Sequence, residues 1–165
     1  MDPSPACFEL IKKFESLRLN AYPDPGTNGA PWTIGWGHTR GVLDGDVCTP
    51  AQAEVWLELD VNGPGGPADL VNRWITVELT QNQFDALVDF CFNIGPGIPG
   101  VKDGLIWLRG RNGGGRGVHS TLMRCVLAGS VAAAANQFLL WDKSDGRVEP
   151  GLAARRQAER ELFLS

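Results

Sequence analysis

Histidine is scarce in this chain: His38 and His119 are its two copies among 165 residues, and neither stands at ligand spacing from a cysteine. That argues against a structural zinc, which needs four such ligands drawn together, and no other metal or cofactor is called for. The four cysteines, Cys7, Cys48, Cys91 and Cys125, form no CxxC pair and no Cys/His cluster. Three of them lie in apolar helical contexts, where free buried cysteine is common, and no spacing demands a disulfide. A chain of this length can bury about 68–70% of its unfolded surface and so needs no covalent staple. No run approaches the roughly 18 apolar residues of a membrane-spanning helix, so no stable membrane insertion is expected. The opening MDPSPACFELIKKFE has neither the basic start nor the apolar centre of a secretory signal. Synthesis in the cytoplasm without a signal peptide is therefore expected, and a monomer suffices.

What is present is charge, unevenly placed, and glycine. Residues 1–100 carry 5 basic and 13 acidic side chains, whereas residues 101–165 carry 10 basic and 6 acidic. A basic C-terminal part can face an anionic polymer, either cell wall or nucleic acid, or it can simply be a solvated face of mixed charge. Glycine collects in NGPGGP at 62–67 and in RGRNGGGRG at 109–117. The second run lacks the strand, the Lys-Ser/Thr ending and the helix of a phosphate loop. It reads as a basic surface loop within an insertion over 97–117, whose short apolar run is Leu105 to Leu108.

The stretch ESLRLNAYPDPGTNGAPWTIGWGH, residues 15–38, concentrates the chemistry. Ser4-Pro5 opens a helix by a hydroxyl cap followed by proline. Cys7, Phe8, Leu10, Ile11 and Phe14 repeat at helical spacing up to Glu15, which shares a face with Ile11 and Phe8. A carboxyl shielded by such a stripe is expected to keep its proton, whereas Asp24, in a Pro-flanked turn near water, is expected to stay ionised. One proton donor and one carboxylate are what glycoside hydrolysis needs. In WTIGWGH, Trp32, Ile34, Trp36 and His38 share one strand face; Thr33, Gly35 and Gly37 share the other. A face stripped to threonine and glycine suits close approach by a ligand, and His38 on the apolar face reads as a hydrogen-bonded structural residue. Each position also has a plain reading: a solvated helix end, a turn aspartate, a strand threonine, a glycine bend.

The same residues resemble the phage-type lysozymes, the endolysin muramidases of glycoside hydrolase family 24. Those enzymes show a helix-end Glu, eight residues, an Asp, a short loop and a Thr opening a T-I-G-x-G-H run. Glu15, Asp24 and Thr33-Ile34-Gly35-Trp36-Gly37-His38 fit, with a longer Asp-to-Thr gap than the shortest versions. LTQNQFDALVDFCFNIG (79–95) and GL-x-x-RR-x-x-E (from 151) are similar to the family's later signatures. The resemblance implies Glu15 as general acid, Asp24 as base or charge stabiliser and Thr33 as holder of the attacking water, with inversion at the anomeric carbon. Gly35, Gly37, Asn93 and Arg155 are the candidate sugar contacts. Arg156 is the alternative to Arg155, with surface pairing to Glu159 the plain reading of either.

The expected fold is α+β, mostly helical: a small antiparallel sheet near the N-terminus against a larger helical lobe, with a cleft between. One catalytic domain over 1–165 is expected, with an N-terminal lobe at about 1–62 and a helical lobe at about 68–165. NGPGGP departs from the family's uninterrupted lobe-joining helix, and a break into two helices is expected there. The implied reaction is hydrolysis of the β-1,4 bond between N-acetylmuramic acid and N-acetylglucosamine in the peptidoglycan glycan strand. Side chains alone can perform it. By the resemblance, the enzyme would reach the wall through a pore formed by a separate protein. The alternatives are a lytic transglycosylase, a chitinase-like enzyme, or a wall- or nucleic-acid-binding module using RGRNGGGRG. Asp24 and Thr33 beside Glu15 argue against the first; a chain of net charge −4 with one short basic loop argues against nucleic acid.

Overall fold

A computed structural model describes residues 1–24, 27–109 and 118–165. Helix α1 (Pro5–Phe14) begins as its cap and proline dictate, with the Ser4 hydroxyl accepting from the Ala6 N–H at 3.2 Å. It stops at Glu15, which turns extended while its own N–H still donates to the Ile11 carbonyl. The hairpin of β1 (Arg18–Asp24) and β2 (Gly29–Gly35) follows, antiparallel, with Tyr22 opposite Thr33 and an irregularity between Pro23 and Asp24.

Helices α2 (Pro50–Asn62) and α4 (Gln81–Ile94) both start with complete capping boxes, Thr49/Gln52 and Thr80/Gln83, each satisfying two backbone donors reciprocally. Between them the NGPGGP run ends α2 and starts a separate α3 (Pro67–Trp74). Glycine is required at this joint: a Cβ on Gly63 would stand 2.5 Å from the Leu59 carbonyl oxygen, and one on Gly66 2.6 Å from that of Asp60. A short pair, β3 (Trp107–Leu108) and β4 (Val118–His119), precedes α5 (Thr121–Leu127) and α6 (Val131–Phe138). A hairpin of β5 (Lys143–Ser144) and β6 (Arg147–Val148) leads to α7 (Pro150–Leu164). The Glu149 carboxylate caps α7, accepting from Gly151 and Leu152 at 3.1 and 2.6 Å.

Helix α4 runs through the larger core, with Phe84, Leu87, Val88 and Phe90 buried among side chains of α1, α5, α6 and α7. Each such side chain contributes about 1.5–3 kcal/mol by leaving water. A second, much smaller core holds Ile34, Cys48 and Ala53 beneath the β1–β2 hairpin. Helix α2 serves both, with Ala53 in the small core and Leu57 and Val61 in the large one.

One expectation needs correction. Helix α1 packs by Cys7 and Ile11 into the large core, so the small lobe is the hairpin, the loop after it and part of α2. Leu105 and Ile106, just before β3, are fully buried, and Ser120 anchors them: its N–H donates to the Ile106 carbonyl at 2.9 Å and its hydroxyl to the Leu105 carbonyl. Arg109 folds back on Asp103, while 110–117, the rest of the basic run, lies outside the described residues. Helix α6 ends at Phe138 and leaves Leu139 exposed.

Candidate active site

Glu15 stands where two hollows of about 390 and 500 Å³ meet, and Gly37 lines both. One adds Thr39, Arg40, Asp60, Phe92 and Asn93; the other adds Phe14, Ser16, Arg18 and Tyr22. Its position follows from the helix: α1 ends one residue earlier, so the Glu15 side chain projects from a fixed helical end into the groove.

The apolar shielding expected around Glu15 is replaced by a charged network. Its side chain is 26% exposed, and the Arg155 guanidinium donates from Nη1 to its Oε1 at 2.6 Å. Arg155 is itself 3% exposed and donates from Nε and Nη2 to the two oxygens of Asp89, at 3.0 and 2.8 Å. Burial works against the guanidinium's charge, yet Asp89 and then Glu15 outweigh it and raise its pKa above the ordinary value. Arg155 is thus a bridge beneath the groove and not a sugar contact, because the fork geometry of its donors is spent on two carboxylates.

Arg156 lies deeper still, over the Phe90 ring at 4.7 Å, and donates from Nη2 to Glu159 at 2.5 Å and to the Asn93 side-chain oxygen at 3.0 Å. Burial pushes its pKa down and that of Glu159 well up. The surface pairing with Glu159 anticipated for these arginines is instead a buried one. Asn93, held by its oxygen, lines the groove wall.

On the small-lobe side, Tyr22 lines the larger hollow and Thr33 is its direct cross-strand partner. Opposed residues of an antiparallel pair point to one face, so Thr33 shares the Tyr22 side of the hairpin. Asp24 closes β1, its Oδ1 accepting from the Thr27 N–H at 3.1 Å and its carbonyl from Asn28 at 2.8 Å. Gly37 carries φ +102° with open space where a side chain would be, which suits a groove wall. Gly35 does not share that role: it is buried against α2, and a Cβ there would lie 3.2 Å from that of Ala53. The alternation breaks because Ile34 and His38 close a tight loop by exchanging backbone hydrogen bonds at 2.9 Å. His38 is structural as read, stacked on Trp56 at 5.0 Å with Nδ1 2.8 Å from Asp60. Among the described residues no three His, Cys, Asp or Glu side chains converge as a metal site would require.

The phage lysozyme family's profile matches residues 12–159, nearly the whole chain. The chain belongs to the phage lysozyme family. It is 39% identical to an endolysin of Bacillus phage B103 over 100% of its own length and 55% of that protein, so it spans about half of that relative. An endolysin of Acyrthosiphon pisum secondary endosymbiont phage 1 is 37% identical over 94% of this chain and 93% of the relative. Among solved structures, the muramidase domain of SpmX from Asticaccaulis excentricus superposes with a TM-score of 0.77 at 34% identity, covering 99% of this chain and 98% of that one. The lysozyme-like α+β fold is therefore the family's own. No helix among the described residues is long and apolar enough to cross a membrane.

Sequence reasoning missed Asp85 and Asp89. Both are fully buried on α4, Asp89 under Arg155 and Asp85 accepting from the Ser4 N–H and hydroxyl at 3.1 and 2.5 Å. The signal was available: two carboxylates four residues apart on the buried face of an apolar helix need partners, and Ser4 and the late arginines supply them.

Proposed function

We propose that the chain hydrolyses the β-1,4 bond between N-acetylmuramic acid and N-acetylglucosamine in peptidoglycan. The observation that carries this reading is Glu15 at the junction of two groove hollows, gripped by one oxygen from a buried arginine. With Oε1 accepting from Arg155, Oε2 is the oxygen that presents a proton to the glycosidic oxygen. Asp89 matches the guanidinium charge within the core, so the contact with Glu15 serves orientation. Asp24 acts as base or charge stabiliser from the hairpin and Thr33 holds the attacking water, which gives inversion. Gly37 and Asn93 are the proposed sugar contacts. The enzyme acts as a monomer, on the wall side of the membrane, reached through a pore formed by another protein. The similar proteins, endolysins and a muramidase domain, support the reaction class.

The test is the mass of fragments released from purified peptidoglycan, with NMR of the first-formed anomer. Reducing muropeptides born as the inverted anomer support the proposal. Anhydro ends overturn it in favour of a transglycosylase, and no release overturns catalysis altogether.

A further inference from the structure

The groove continues past the hollows that meet at Glu15. A third hollow, of about 260 Å³, shares Arg40, Asp60 and Phe92 with the Asn93 side. Its floor is the Gly63–Pro67 joint, whose glycines bare the main chain, and Phe92 and Pro96 give it an apolar wall. Four charged side chains line the three hollows: Glu15, Arg18, Arg40 and Asp60. Glu15 is held by Arg155, and Asp60 lies against His38. Arg18 and Arg40 have no acidic partner among the described residues, and of these two arginines only Arg40 lines two hollows. The backbone of Arg40 is steadied by its carbonyl, 3.0 Å from His38 Nε2. Its guanidinium is therefore a fixed-base, unmatched cation at the mouth of a side trough.

We propose that Arg40 and the glycine joint form a subsite for the peptide stem of peptidoglycan, with Arg40 binding a stem carboxylate; this rests on the muramidase reading above. Muramic acid carries its peptide sideways from the glycan, so a strand seated at Glu15 needs a trough leading off the sugar groove. A planar guanidinium grips a carboxylate by two parallel hydrogen bonds. Bare glycine backbone admits an extended peptide, and alanine methyls of a stem fit against Phe92 and Pro96.

The test compares wild type, Arg40→Gln and Arg40→Lys on purified peptidoglycan and on the same glycan stripped of its stems by an amidase, with reducing ends as the readout. The ratio of kcat/KM on peptide-bearing to peptide-free strands should fall about tenfold in Arg40→Gln, the loss of one charge-assisted contact. It should recover partly in Arg40→Lys, which keeps the charge without the fork. Added salt should narrow the gap between wild type and Arg40→Gln. An unchanged ratio, or equal losses on both substrates, overturns the subsite alone. A wild-type enzyme that frees reducing ends from neither substrate overturns the muramidase reading and the subsite with it.

Discussion

The two carboxylates of the groove are held in opposite ways. Glu15 projects from a helix whose other end is pinned to Asp85, and it is gripped by an arginine that Asp89 balances. Asp24 closes a two-stranded hairpin whose private core is Ile34, Cys48 and Ala53, and it accepts from the Thr27 and Asn28 N–H groups of its own turn. The small lobe is tied back by Glu54, which accepts from the Trp36 indole at 3.2 Å and pairs with Lys12 of α1 at 2.5 Å. One half of the chemistry is thus part of the large core, and the other is attached to it. Substitutions that strip a charge from the buried network behind Glu15 should register in stability as well as rate. On the second side they should register in rate alone.

The largest effect expected is from Glu15→Gln, which keeps the shape and the Arg155 contact but removes the proton. Turnover on peptidoglycan should fall about 10³-fold, within the range for a lost general acid, while the thermal transition moves little. Wild-type turnover in that variant would remove Glu15 from the mechanism. Asp24→Asn should cut turnover about 10²-fold with Tm nearly unchanged, because the core beneath the hairpin is small. A large drop in Tm would erase the contrast between the two sides.

Asp89→Asn tests the core side. It leaves the Arg155 charge short of a buried partner, which costs about 3 kcal/mol and lowers Tm by roughly 6–12 °C for a chain of this size. Turnover should fall too, as Glu15 loses its fixed grip; an unaltered Tm would mean that the network adds no stability. The smallest effect is a slope. Burial first, then Asp89, raises the pKa of Glu159 well above its ordinary 4.5. The folded chain then keeps a proton that the unfolded chain releases. Stability is full below about pH 4.5 and falls as pH rises towards the raised folded value. Glu159→Gln should flatten that decline between pH 5 and 7, by up to about 1.4 kcal/mol per unit. Denaturant unfolding across that range measures it, and an unchanged slope would assign the pH dependence to other groups.

Much of the local order could be read directly. Ser4-Pro5, Thr49-Pro50 and Thr80 start helices because a hydroxyl and a proline satisfy or forgo the first N–H groups whatever lies around them. NGPGGP had to break a helix for equally local reasons. Glu15 at a helix end belongs to this level. Gly35 was misplaced because strict alternation assumes a continuing strand, and the Ile34–His38 loop ends it. Arg155 was misread because a fork of donors looks the same in sequence whether sugar or carboxylate receives it.

By itself, then, the order of residues determined where helices begin and end, the α+β class, and the spacing of Glu15, Asp24 and Thr33. Those depend on hydrogen bonds and steric limits spanning a few neighbours. Tertiary structure alone decided that Asp89 and Arg155 stand behind Glu15, that Leu105 and Ile106 are core, and that Arg40 opens onto a trough. The reason is desolvation. Which charges must pair depends on which are taken out of water together, and residues 15, 89 and 155 meet only when α1, α4 and α7 close on one another.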